Sequence, residues 1–361
     1  MRVSKRHMSD VWEIARSRRF LIMVQYAAGA FLRKLGKRKG NSMVQVQRYE
    51  HNPVLASKDV PFASTQIFNA GVEKWRGRYV MVFRADDFDF AKKREIRTHL
   101  GLAFSDDGTH WTVQPEPLTI LPLGGEIIRC YDPRLTVLDD RLYLCFAVDT
   151  KHGIRGGLAV TDDLKNFQVL SLSAPDNRNM VLFPEKINGR LARFERPFPM
   201  YGGRGERFDI WYSDSADGRD WGNNLLTLGS EQVKYCNNKL GPGAPPMRTK
   251  KGWLSLIHIV NKNDARELKG WEGRPWRKEY AAALMLTDLH EPWRVIGLSP
   301  QPVLVSETPC ELDGFRGSVI FPGGLIPEDD GSVKIYYGAA DTVECLATAQ
   351  LDDLLAAVEP F

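Results

Sequence analysis

The sequence predicts an all-β fold, a five-bladed β-propeller carrying an N-terminal α-helical extension, and three observations predict it. A polar turn feeding a short strand of alternating apolar residues recurs along the chain after residue 60. A second unit, in which a strand ends in Ser/Thr-Asp, turns, and resumes at an aromatic, recurs beside it. A helical pattern with a strong basic excess is confined to the first 45 residues.

The extension, residues 1–45, comes first. Residues 1–40 hold eleven Lys and Arg against Asp10 and Glu13, a balance of +9, although the whole chain is only +4. The remainder is therefore mildly acidic, so nucleic-acid binding by the main domain is not indicated. The apolar stretch "FLIMVQYAAGAFL" (20–32) is interrupted by Gln25 and followed by more basic residues. It is too short to span a bilayer. A basic amphipathic helix packing on a second subunit, without stable membrane insertion, is the expectation, and with it a homo-oligomer.

The propeller is expected over residues 46–361. The first unit reads "EKWRGRYVMVFRADD" (73–87), then "LDDRLYLCFAVD" (138–149), "INGRLARFERP" (187–197), "GGRGERFDIWYSD" (202–214), "TKKGWLSLIHIV" (249–260) and "EDDGSVKIYYGAAD" (328–341). The second unit reads "LAFSDDGTHWTV" (102–113), "LAVTDDLKNFQVL" (158–170) and "IWYSDSADGRDWG" (210–222), with a looser copy in "ALMLTDLHEPWRVI" (283–296). Asp at such a turn bonds the backbone ahead of it, and the aromatic staples the hairpin. Paired hairpins at this interval are four-stranded blades, and about five fit the length. Five scattered cysteines with no CxxC fit a reducing cytoplasm and argue against a disulfide scaffold or a zinc site.

Asp132, in "CYDPRL", stands between an aromatic and a proline at the head of a strand that reads as buried. A carboxylate beside an apolar core needs partners. In a propeller the early residues of the inner strands meet at one mouth of a central channel, so Asp132 can project there. Asp-Pro also starts ordinary turns, and on the residues alone the two readings stand level.

The stretches "FNAGV" (68–72), "VFRADD" (82–87), "YDPRL" (131–135), "NRNMVLFPEKINGR" (177–190), "ERPFP" (195–199), "NNKLGPGAPPMRTKKGWL" (237–254), "VIFPGG" (319–324) and "IYYGAADT" (335–342) occur in this order. Together they resemble the β-mannoside phosphorylases of glycoside hydrolase family 130, over roughly residues 60–355. The resemblance implies inverting, reversible phosphorolysis of a β-mannoside to α-mannose 1-phosphate, with β-1,4-linked mannosyl-glucose or a manno-oligosaccharide as the expected substrate. It implies that Asp132 is the catalytic acid, working through a sugar hydroxyl. It implies phosphate binding by Arg178, Asn179, Arg196, Lys239 and His258, and substrate binding by Asn69, Arg84, Asp86, Tyr131 and Asp341. Inorganic phosphate is then a co-substrate, and no metal or organic cofactor is expected. Partners are a small carbohydrate and phosphate, in the cytoplasm.

Such a set suits phosphorolysis physically. An inverting hydrolase needs a second carboxylate to activate water, whereas phosphate is already a nucleophile and needs fixed cations to hold it. Two rivals remain. "ETPCELDGF" (307–315) offers Glu311, which with Asp132 and Asp86 forms a carboxylate trio for a propeller hydrolase. A non-catalytic carbohydrate-binding propeller is the other. Trp271 and Trp276, in the long segment 261–280, are either acceptor-stacking residues or the packing of their own loop.

Overall fold

The structure is a computed structural model that describes residues 44, 46–198 and 207–361. The helical extension expected over residues 1–45, and the subunit contact expected of it, lie outside the described residues except for Val44. Residues 44–361 form one compact unit of five sheets.

Each sheet is an antiparallel meander running outward from the channel. The first blade is built from Gln66–Trp75, Arg78–Asp89, Arg94–Ser105 and Thr112–Val113, and the second from Ile127–Leu138, Arg141–Thr150, Gly153–Thr161 and Gln168–Leu172. The third comprises Asn177–Leu182, Leu191–Pro197, Ile210–Ser215 and Gly222–Leu228. Lys239–Pro242, Gly252–Lys262, Lys278–Thr287 and Val295–Leu298 make the fourth, widened by Glu359–Pro360 and by Met247–Thr249. The fifth, Ile320–Pro327, Ser332–Ala339 and Val343–Gln350, takes its outermost strand, Gln47–Arg48, from the other end of the described chain. That exchange closes the ring, so no blade is left to detach at the seam.

The turns behave as their sequences require. Arg76-Gly77, Asp139-Asp140 and Asn188-Gly189 all have positive φ, the conformation that two-residue hairpin turns demand. In the second unit Asp107, Asp163, Asp217 and Asp288 each accept backbone N–H groups two or three residues ahead.

Five apolar clusters fill the five gaps between adjacent blades. In the fourth blade Leu254, Leu256, Ala282 and Leu284 face the fifth, while Ile257, Ile259, Ala281 and Ala283 face the third. Both faces of these strands are buried, which is why "GWLSLIHIV" and "AAALML" read as nearly continuous apolar runs.

The channel axis is held by polar groups. The fully buried guanidinium of Arg134 donates to the carbonyls of Pro133 (2.6 Å), Asn69 (3.1 Å), Gly243 (2.6 Å) and Pro322 (3.1 Å), so one side chain ties four inner strands together. Glu344 lies beside it, fully buried, and accepts the Ala70 N–H at 3.2 Å. Burial pushes the Glu344 carboxyl up to about 8, against the pull of the Ala70 N–H and Arg134. Its folded value lies above the unfolded one, so the native state holds a proton that the unfolded chain releases between about pH 4.3 and about pH 8. Stability is expected to fall as pH rises through that window. Glu344→Gln keeps a neutral side chain there, and its melting temperature should decline less than the wild type's between pH 5 and pH 8. Parallel melting curves for the two proteins would contradict this protonation state.

Candidate active site

The inner strands of the first three blades share a local irregularity that builds the site. Each is bulged near its start, between Phe68 and Gly71, Tyr131 and Arg134, and Arg178 and Val181. Inside each bulge one residue is left-handed: Asn69 (φ 54°), Asp132 (φ 52°) and Asn179 (φ 57°). Asn and Asp tolerate this conformation better than other side chains, and a bulge re-aims the residue it contains. All three line one cavity of about 540 Å³ at the channel mouth. The position of Asp132 ahead of a buried strand therefore follows from the bulge, which turns its carboxylate out of the blade-to-blade packing.

Asp132 is enclosed but paired. Its side chain is 10% exposed. Its Oδ1 accepts from Asn69 Nδ2 at 3.0 Å and from Arg84 Nη1 at 3.3 Å. Burial pushes its acidity down, but Arg84, Arg178, the Asn69 amide and Arg134 outweigh burial and hold the carboxyl below its ordinary range. Arg84 is itself anchored, donating to both oxygens of Asp86, which also accepts from Thr98 Oγ1 at 2.8 Å. Asn69 and Arg84, expected as sugar contacts, thus hold the acid in place as well as lining the cavity. Tyr131 also lines it, with its hydroxyl donating to Asp149 at 2.6 Å.

Across the cavity stand the cations. Arg178, Arg196 and Lys239 line it together with Asn179. Among the described residues neither Arg178 nor Arg196 meets a carboxylate within ion-pair distance. Their guanidinium groups lie against aromatic rings instead, Arg178 over Phe198 (5.6 Å) and Arg196 over Phe208 (5.2 Å), and these two rings stack on each other at 4.9 Å. Lys239 also faces Phe208, at 5.5 Å. Rings support the cations without neutralising them. Arg196 is 2% exposed, and burial, reinforced by Arg178, brings its guanidinium down to about 9. Buried cations in this state gain most from an arriving anion.

His258 departs from its expected place. It is fully buried, and its Nε2 lies 2.9 Å from Arg196 Nη1, behind the cation and off the cavity lining. Burial, Arg196, Lys239 and Arg134 hold its pKa well below the ordinary value, so the ring is neutral and Nε2 accepts from the guanidinium. A Cβ on Gly241 would come within 3.0 Å of Arg196 Cδ and 2.7 Å of His258 Cε1, so only glycine admits this packing.

Asp341 lines the cavity from the three-residue turn 340–342, where it and Ala340 both have positive φ, and pairs with Arg316 at 3.4 Å. Burial raises its pKa. Glu311, the third member of the hydrolase trio, is excluded from the site. It is fully buried as the cap of the short helix Pro309–Leu312, accepting from Arg48 Nε (2.7 Å), Tyr337 Oη (2.7 Å) and the N–H groups of Glu307 and Thr308. Trp271 and Trp276 also stand off the cavity lining. Trp276 Nε1 donates to the Gly317 carbonyl and its ring stacks on Tyr280, while Trp271 Nε1 donates to Asp313. They tie their loop to the neighbouring segment 313–317.

Sequence reasoning missed the Phe198–Phe208 platform and the Arg134 hub. "ERPFP" contains Phe198 next to Arg196, but nothing local couples it to Phe208.

The chain matches the profile of glycoside hydrolase family 130, described as β-1,4-mannooligosaccharide phosphorylase, over residues 34–360. It is 32% identical over 323 residues to the β-1,4-mannooligosaccharide phosphorylase of Ruminococcus albus, covering 86% of this chain and 90% of that one. It is 27% identical to the β-1,2-mannobiose phosphorylase of Listeria innocua, with 88% and 99% covered. The fold is similar to a solved structure of β-1,2-mannobiose phosphorylase from Listeria innocua, with a TM-score of 0.74 at 24% identity, covering 86% of this chain and 98% of that one.

Proposed function

The chain belongs to glycoside hydrolase family 130, and from that premise we propose that it is an inverting β-mannoside phosphorylase, a glycosyl transfer enzyme whose acceptor is inorganic phosphate. The observation that carries this reading is the pair of buried arginines, Arg178 and Arg196, held on aromatic faces opposite Asp132 with no carboxylate partner among the described residues. A phosphate dianion is the complement of that nest.

The roles follow from the geometry. Arg178, Arg196, Lys239 and Asn179 hold phosphate against one face of the anomeric carbon. A phosphate oxygen bonds to that carbon as the glycosidic C–O bond breaks on the other face. Asp132 supplies the proton that the departing oxygen takes, passed through a mannose hydroxyl, and the proton carried by HPO4²⁻ restores it. Asp86 and Asp341 accept from mannose hydroxyls. The hydrogen bonds of Asp132 to Arg84 and Asn69 and the nearby charge of Arg178 favour its ionised form, and bound phosphate offsets those charges and favours the acid form. β-1,4-linked mannosyl-glucose or a manno-oligosaccharide is the proposed substrate, and 32% identity to a β-1,4-acting enzyme supports that linkage.

Incubation with a panel of β-1,4- and β-1,2-mannobioses, with and without phosphate, tests the reading. Mannose 1-phosphate formed only with phosphate is the expected product. Equal release of free mannose in both conditions selects a hydrolase, and binding without turnover selects a lectin-like propeller.

A further inference from the structure

We infer that the sugar leaving this site, or accepting mannose in the reverse direction, is anionic; the inference rests on the phosphorylase reading above. The cavity is lined by nine Lys and Arg side chains against five Asp and Glu, an excess of four positive charges. Part of this excess lies apart from the phosphate nest. Among the cations lining the cavity outside the phosphate nest, Arg84 is anchored to Asp86 and Asp132, Arg129 is held by Glu95 and Asp149, and Arg316 by Asp341. Lys93, Arg94 and Arg274 meet no carboxylate within ion-pair distance among the described residues, and Glu272 is the one lining carboxylate there without a cation partner. The unpaired charge at the rim is thus about +2, separate from Arg178 and Arg196 on the floor.

The rim is built to hold a position. Lys93 and Arg94 lie on the hairpin between the second and third strands of the first blade, and Glu272 and Arg274 on the long loop of the fourth. A chain of rings joins these two loops: Phe315 to Phe88 (5.0 Å), Phe88 to Phe90 (5.0 Å) and Phe90 to Trp271 (6.4 Å). The Lys93 ammonium comes within 3.7 Å of where a Cβ on Gly273 would stand, so the two loops face each other closely at the mouth. A sugar standing above the floor, on the leaving-group side of the mannose, has its substituents among these three cations. A carboxylate on that sugar, as in a uronic acid, would offset one unit of the net rim charge, and a phosphate ester on it would offset both.

The test runs the enzyme in the synthetic direction, with α-mannose 1-phosphate as donor and phosphate release as readout. The acceptors are glucose, N-acetylglucosamine, mannose, glucuronate and glucose 6-phosphate. At least one charged acceptor is expected to exceed glucose in kcat/KM by at least about tenfold at low salt, with the advantage shrinking at high salt. Glucuronate preferred over glucose 6-phosphate assigns a carboxylate, and the reverse order assigns a phosphate ester. In the triple variant Lys93→Ala, Arg94→Ala, Arg274→Ala the ratio of charged to neutral acceptor should fall towards one. Neutral acceptors equal to or better than both charged ones overturn the inference and leave the phosphorylase reading standing. So does a triple variant that raises KM for α-mannose 1-phosphate while keeping the acceptor ratio, because the rim would then steer only the donor. Phosphate release with no acceptor at all overturns both readings.

Discussion

Asp132→Asn is expected to lower turnover by about 10²- to 10⁴-fold, the range for loss of a positioned general acid, with the far-ultraviolet spectrum unchanged. The fold should survive because Asn suits the left-handed conformation at φ 52° as well as Asp does. The same variant removes a negative charge from beside Arg84 and Arg178, so phosphate should bind at least as tightly as in the wild type. That second readout separates loss of the acid from general damage to the site, since a distorted pocket would weaken phosphate. A folded variant of normal speed would remove Asp132 from the chemistry. A slow variant with weakened phosphate binding would make its role structural.

Arg178→Ala is expected to raise the phosphate KM by about 10- to 100-fold, from the loss of charge-assisted hydrogen bonds. The mannoside KM should move by about threefold or less. The Arg178 side chain makes one hydrogen bond among the described residues, to Tyr131 Oη at 3.4 Å, so removing it breaks little of the fold. Arg178→Lys should recover part of the phosphate affinity, because a point charge remains while the planar fork is lost. Equal changes in the two KM values would show that Arg178 shapes the whole pocket and does not address phosphate.

How far the site was legible varies with the residue. Asp132, Arg178, Asn179, Arg196 and Lys239 carry signals in short motifs, and the structure gathers them round one cavity. His258 carries an equally clear signal, yet its neighbour across the packing, 62 positions away, decides that it supports Arg196 from behind. Glu311 reads as a spare carboxylate in "CEL". Its capping bonds to Glu307 and Thr308 are local, but the Arg48 and Tyr337 partners that bury it come from distant strands. Trp271 and Trp276 left two readings open because a loop's own packing and an open stacking surface require the same residues.

By itself the sequence determined the blades, because strand alternation, turn chemistry and the Asp-turn-aromatic hairpins are local and act through neighbouring backbone. Only the tertiary structure decided which charges face one another. Ring closure brings the starts of inner strands far apart in sequence to one mouth, and the field at Asp132 is the sum of Arg84, Arg178 and Arg134 from three separate strands. Such a field depends on distance and burial, and a linear sequence contains neither until the chain has closed on itself.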